Sequence, residues 1–271
     1  MNRKNFHSLF AYDLKYGFWS NRFKWFFALV IQLYFCIMMD AYPGIWDQIT
    51  GLFLGFPEYH LSETGTFDLP FPWLIFHSYL LFLVGFYPVN DLSYSGGQAF
   101  IRAGNRKQWL YSKLGWTLIT VLSYYLMLAV VSLTYSMVTG DLEGSAAYMK
   151  NVIGLDFENI SAIHIFTYWW LMPMLTSFAL CTVEVILSLF IDPVLAFLIL
   201  FGVLIASVFW MMPVLLGNFS MLMRMDFISG NQSNSFLNCL IGCLLTICIA
   251  CIWGSIAFNR KDIYFSQGGQ S

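Results

Sequence analysis

Charge is scarce in this chain. Asp, Glu, Lys and Arg make up only 10% of its 271 residues, while 59% are hydrophobic. An average soluble domain carries about 25% charged residues. So few charges cannot cover that much apolar surface in water, and the bilayer is the expected solvent. Catalytic motifs are scarce too. The sequence has no G-x-x-x-x-G-K-[ST] phosphate loop and no H-E-x-x-H pair. Glu184 and His77 stand alone on different apolar stretches, which argues against an intramembrane protease. All six cysteines (Cys36, Cys181, Cys239, Cys243, Cys248, Cys251) fall within apolar stretches, so a disulfide framework is not expected. Cys239/Cys243 and Cys248/Cys251 have helical spacing. No His or acidic residue accompanies them, and they read as small packed hydrophobes rather than metal ligands.

What is present is a series of long apolar runs. A helical span needs about 20 mostly apolar residues. Six fit, at about 25–42, 72–89, 109–138, 164–190, 193–216 and 236–258. The third and fourth are long enough to tilt or to project beyond the lipid. Pro173 lies inside the fourth, and Pro213 and Gly217 near the end of the fifth, where a lost backbone donor predicts a bend or break. Only Asp192 and Pro193 separate spans four and five, which predicts a tight hairpin. The bilayer requires backbone polar groups to be satisfied internally, so the predicted fold is an all-α bundle forming a single domain over 1–271.

Orientation follows from Lys and Arg, which resist translocation. Of 13 such residues, all but Lys150 and Arg224 lie before the first span, in the second connection or in the tail at 259–271. Both ends are therefore expected in the cytoplasm. The loops at 43–71 and 140–163, which carry Asp47, Glu58, Glu63, Asp68, Asp141, Glu143, Asp156 and Glu158, are expected outside. The net charge of −2 conceals this polarity. The first apolar run starts near Trp25 without a small-residue cleavage site, so it reads as an anchor and not as a cleaved signal. Loop 43–71 is rich in rings (Trp46, Phe53, Phe56, Tyr59, Phe67, Phe71) and reads as a packed or re-entrant cap.

Before the first span, Phe6, Leu9, Phe10, Leu14 and Phe18 share one helical face, with Lys4, Ser8 and Lys15 opposite and Asp13 breaking the apolar side. This predicts an interfacial helix within 1–24. The spacing fits both a simple anchor and a lever driven by a cytoplasmic partner. Within the membrane a buried charge costs about 2.5–3.5 kcal/mol on insertion scales, so Glu184 needs a reason. Pairing with a basic residue of the second connection is the expectation; protonation and contact with a cationic substrate are the alternatives. Gln32 is expected to bridge helices, and His77 to be a hydrogen-bonded core residue.

The second connection reads NDLSYSGGQAFIRAGNRKQWLYSK over 90–113. Gly96 and Gly97 loosen it, Gln98 to Ala103 suits a short helix containing Phe100, Ile101 and Arg102, and Gly104 suits its end. Arg106, Lys107 and Trp109 then enter the third span. A short helix held between two spans would move both when pushed.

This stretch resembles the coupling segment of ABC-2 type transporter permeases, carried here by Gly97, Ile101, Arg102, Gly104, Arg106, Trp109 and Lys113. The start DLKYGFWSNRFKW, Asp13 to Trp25, is similar to the family's connecting helix. The resemblance implies a transmembrane subunit of an ATP-driven exporter in the plasma membrane, of bacterial cytoplasmic type. Its implied partners are two copies of a cytoplasmic ABC ATPase, a second permease chain, identical or paralogous, and membrane lipid. No nucleic acid is expected. ATP and Mg would be bound by the ATPase and no cofactor by this chain, which would not itself be an enzyme. The ATPase-coupling residues would be Gly96, Gly97, Gln98, Phe100, Ile101, Arg102, Gly104 and Arg106. For Arg102 and Arg106 a positive-inside anchor is an equal alternative. The dimer seam would lie at spans one and five.

Met and aromatic residues enrich the spans, as at Trp169, Trp170, Met172, Met174, Trp210, Met211 and Met212. Soft linings suit amphipathic cargo, and small permeases of this family often export antimicrobial or toxic peptides. Glu184, Gln32, Trp210 and Met211 are the candidate substrate-path residues. Two rival readings remain: an ion-coupled secondary transporter and a non-transporting scaffold or sensor subunit.

Overall fold

The computed structural model describes residues 3–57, 69–92, 106–139, 148, 150–151, 154, 160–230 and 232–260. Among them the regular structure is helical, with no strand. The principal helices are α1 (Arg3–Ser20), α2 (Arg22–Met38) and α3 (Ile45–Phe53). They are followed by α4 (Phe71–Asn90), α5 (Arg106–Thr139), α6 (Ala162–Ser188), α7 (Pro193–Phe209) and α8 (Phe236–Arg260). Four of them, α4, α5, α6 and α8, are long and apolar enough to cross a membrane. This is the helical architecture of a membrane protein.

The stretches expected as spans one and five are shorter than expected. α2 and α7 hold 17 residues each. At about 1.5 Å per residue that is about 26 Å, short of the ~30 Å hydrocarbon core. Proline chemistry accounts for the end of α7. The ring of Pro213 excludes a helical carbonyl four residues earlier, at Phe209, which is the last helical residue. Trp210 is already extended (φ −119°, ψ 124°). The start of α7 is set by Asp192, whose carboxylate accepts the Val194 N–H at 2.8 Å, with Pro193 at the first helical position. α6 ends at Ser188, so the pair forms the tight hairpin read from the sequence.

The other prolines act similarly. Pro173 is preceded by a π-helical turn, Phe166–Leu171, where the ladder widens around the missing donor. Pro88 breaks α4 at Phe86, a break not anticipated from the sequence. α5 runs for 34 residues, about 51 Å, and projects beyond any bilayer core.

α6 is the central helix and packs against α4, α5, α7 and α8. Glycine permits the closest approach to α8, where a Cβ on Gly254 would lie 2.9 Å from Ile186. The outer face of α8 leaves Leu237, Ile241, Leu245, Ile249 and Ile252 exposed, as a lipid-facing helix would. Within the ring-rich stretch after α2, of which 58–68 lie outside the described residues, α3 packs inward. Ile49, Leu52 and Phe53 of α3 are buried, and Phe53 stands edge-on to Phe76 at 5.2 Å. Trp169 Nε1 donates to Thr50 Oγ1 at 2.8 Å and ties α3 to α6.

Candidate functional site

The site begins with the residue that broke the apolar face of α1. Leu9, Asp13 and Gly17 form the buried stripe of that helix. Asp13 is thus the centre of the packed face and not an interruption at its edge. α1 lies along the first turns of α5, where Gly17 meets the Trp116 ring and Phe10 packs on Gly115. A Cβ on Gly17 would stand 2.3 Å from Trp116 Nε1, so only glycine allows this approach.

Asp13 enters an ionic cluster that is wholly buried. The Lys113 ammonium of α5 donates to Asp13 Oδ1 and, at 2.6 Å, to Asp91 Oδ2 just beyond α4. Ser112 donates to Asp13 Oδ2 at 2.5 Å, and the Tyr87 hydroxyl to Asp13 Oδ1 at 2.9 Å. Lys113 Nζ also stands 4.5 Å from the Tyr87 ring centroid and 5.0 Å from that of Trp109. Burying opposed charges is tolerated only when they are paired and hydrogen-bonded, which this arrangement achieves. It joins α1, the end of α4 and the start of α5 at one point. Asp91 and Arg106 flank the connection that carries the family resemblance.

Of the expected ATPase-coupling residues, Gly96, Gly97, Gln98, Phe100, Ile101, Arg102 and Gly104 lie outside the described residues. Arg106 is described. Its guanidinium donates to the carbonyls of Phe258 at 3.2 Å and Asn259 at 3.1 Å, at the C-terminal end of α8. That is the negative pole of the helix and its last free acceptors. Trp109 stacks on Phe258 at 5.3 Å. Arg106 therefore braces the start of α5 against α8.

The expected substrate-path residues do not come together. Glu184 is fully buried on α6, and both its carboxylate oxygens lack a hydrogen-bond partner among the described residues. It packs on α4 where Gly85 has no side chain; a Cβ there would lie 2.4 Å from Oε1. Among the described residues, the cation whose field reaches it is Lys24, at the start of α2; residues 93–105 of the second connection, where the expected basic partner falls, lie outside the described residues. Lys24 Nζ donates to the Phe82 carbonyl at 3.2 Å, above the rings of Phe82 and Phe86. Gln32 bridges α2 to α5, its Nε2 donating to the Tyr124 carbonyl at 3.2 Å. Trp210 and Met211 follow the far end of α7, about 26 Å along the helix from the hairpin beside Glu184. His77 is a core residue whose Nδ1 donates to the Trp73 carbonyl at 2.9 Å among the rings of Phe53, Trp73 and Phe76. Cys239 and Cys243 face Thr176, with each Sγ 4.0 Å from its hydroxyl, and no metal-holding group of His, Cys, Asp or Glu occurs among the described residues.

A second buried cation escaped sequence reasoning. Arg224 is fully buried and donates to the carbonyls of Phe56 (2.8 Å), Pro57 (3.3 Å) and Val208 (2.6 Å), to that of Ser207 and to Asn218 Oδ1. It clamps the segment after α3 to the end of α7. The available signal was an arginine in a loop that the charge pattern of the sequence predicts to lie on the side poor in basic residues. For the α1 cluster it was a lysine inside a predicted span.

No protein-family model, no curated protein and no solved structure matches the chain.

Proposed function

We propose that this chain is the transmembrane subunit of an ATP-driven exporter of ABC-2 type, working with a separate cytoplasmic ATPase and a second permease chain. In this reading six helices cross the plasma membrane with both ends inside. α2 and α7 are included, their reach extended by the non-helical residues that follow them. Residues 93–105 receive the ATPase, and the cargo is an amphipathic molecule, a peptide being the first choice.

The observation that carries the reading is the Asp13–Lys113–Asp91 cluster. A force applied to the second connection enters α4 and α5 at its two ends. The cluster binds those ends to each other and to α1, so the three move as one body. Breaking a buried, hydrogen-bonded pair costs about 3–5 kcal/mol, enough to hold such a joint under load. The first test is purification of the tagged chain from its native membrane in mild detergent, with mass spectrometry of what accompanies it. A stoichiometric ATPase with a phosphate loop is expected. Its absence in a preparation that retains other membrane complexes overturns the proposal.

Glu184 favours a second reading, an ion-coupled transporter, because a buried carboxylate without a hydrogen-bond partner among the described residues suits a proton carrier. Transport into vesicles driven by a proton gradient without ATP selects that reading; dependence on ATP selects the first.

A further inference from the structure

Glu184 and Lys24 stand near enough to act on each other, yet they do not pair. Glu184 is fully buried, and neither of its carboxyl oxygens is bonded among the described residues. It rests on Gly85 of α4. Three residues earlier on that helix, about 4.5 Å along its axis, the Phe82 carbonyl holds the Lys24 ammonium at 3.2 Å. The ring centroids of Phe82 and Phe86 lie 4.5 and 4.9 Å from Nζ. One helical carbonyl and two ring faces thus keep a cation beside a carboxyl group that it does not touch.

A buried carboxylate needs an ion pair or several donors; a group with neither is held as the neutral acid. The surroundings offer no other partner. Cys181, one turn earlier on α6, is the titratable neighbour on its own helix. Tyr79 of α4 gives its hydroxyl to the Lys24 carbonyl at 2.6 Å, and Tyr87 and Asp91 at the end of α4 are committed to the Asp13–Lys113 cluster. On α5, the hydroxyl of Tyr124 donates to the Phe76 carbonyl, and that of Tyr125 bonds Ser177. Among the described residues no charged group of α5, α7 or α8 acts on Glu184. Losing the proton would reverse the preference of Lys24, because an ammonium bonded to a carboxylate outweighs one bonded to a carbonyl. Gly85 has no side chain to keep the two apart.

We propose that Glu184 is a reversible proton-binding site with Lys24 as its switched counter-ion. With the proton bound, Lys24 stays on the Phe82 carbonyl; on release, its ammonium turns to the Glu184 carboxylate and ties the start of α2 to α6. The carboxyl O–H bond breaks, and the proton passes to water at the Lys24 end of α2, where Arg22 is exposed. The pair then goes from one net positive charge to none, so the ionised carboxylate is never left unpaired. This deepens the ion-coupled reading and rests on the same carboxyl taking up a proton, but it requires no transport.

The test is infrared spectroscopy of the full chain in lipid nanodiscs, because the C=O stretch of a protonated carboxyl stands apart from the amide and carboxylate bands. At neutral pH this band is expected in the wild type and absent from Glu184→Gln. Labelling glutamate with 13C is expected to shift it in the wild type, which assigns the band even if the variant fails to fold; the other glutamates, Glu58, Glu63, Glu143 and Glu158, belong to polar loops and are ionised at that pH. Raising the pH is expected to remove the band and to slow hydrogen exchange at the start of α2. Lys24→Met is expected to move that loss about one to three pH units further alkaline, the effect of a nearby opposite charge, and to abolish the change in exchange. The proposal is overturned by a wild type without the band at neutral pH, by a band that no alkaline pH removes from the folded chain, by an unmoved titration in Lys24→Met, or by exchange in α2 that is the same on both sides of the titration. A chain that titrates as expected but draws nothing from a proton gradient removes the ion-coupled reading and leaves this one. Gradient-driven transport by a chain without the acid band removes this one and leaves ion coupling.

Discussion

Replacing Lys113 by Met tests whether the buried cluster is a structural joint. The side chain is fully buried and bonds two carboxylates, Asp13 and Asp91, that are themselves buried. Met preserves the length and removes the ammonium. Asp13 keeps the Ser112 and Tyr87 hydroxyls as donors but loses its counter-charge. Leaving buried charge without its partner costs about 3–5 kcal/mol, whereas an exposed ion pair contributes about 0–1 kcal/mol. The expected loss corresponds to a drop of roughly 10 °C in unfolding temperature, from the scaling for domains near this size. Thermal unfolding in detergent, followed by tryptophan fluorescence, reads it directly. The charge-free combination of Asp13→Asn, Lys113→Met and Asp91→Asn is expected to recover most of the stability, because no uncompensated charge remains. Under the exporter proposal, a triple variant that recovers stability and yet fails to couple ATP hydrolysis to transport assigns the cluster to force transmission and not only to folding. A Lys113→Met protein within about 1 kcal/mol of the wild type would refute the reasoning, since that is the behaviour of a solvated surface pair.

Three further outcomes are expected. Gly17→Ala drives a methyl into the Trp116 ring, so α1 is expected to lift from α5 at a cost of about 1–3 kcal/mol, seen as faster hydrogen exchange in α1. Glu184→Gln is expected to leave unfolding unchanged or raise its midpoint, because no hydrogen bond among the described residues is lost; Gly85→Ala is expected to destabilise the wild type more than a Glu184→Ala background, which a double-mutant cycle measures. Arg224→Lys is expected to lose at least about 3 kcal/mol, since one ammonium cannot reach the spread of acceptors served by the guanidinium fork, and limited proteolysis should then cut near Phe56 and Pro57.

Apolar runs were the legible part of this chain. Hydropathy and proline position foretold an all-helical fold, the α6–α7 hairpin, the irregular turn before Pro173 and the packed ring-rich segment at α3. Helix ends were less legible. Pro213 showed that a break was due, but only the backbone placed it at Phe209, four residues earlier, which shortens α7 to 17 residues. The break at Pro88 went unread because it sits at the end of an apolar run, where hydropathy alone does not separate helix from turn.

The candidate site divides in the same way. Composition, motif absence and the distribution of Lys and Arg determined that this is a membrane-type helical chain without its own phosphate loop, because those properties belong to residue identity and order. Which charges meet was decided only by tertiary structure. Asp13, Asp91 and Lys113 are separated by 78 and 22 positions along the chain and no periodicity relates them. Packing of α1 on α5, through a glycine that only the fold reveals to be essential, brings them to one point. Gln48 shows the same limit: its type and position do not reveal that the Pro43 carbonyl takes one end of its amide while its Oε1 is buried without a hydrogen-bond partner among the described residues. Burial sets the strength of both features, and burial is a property of the assembled helices.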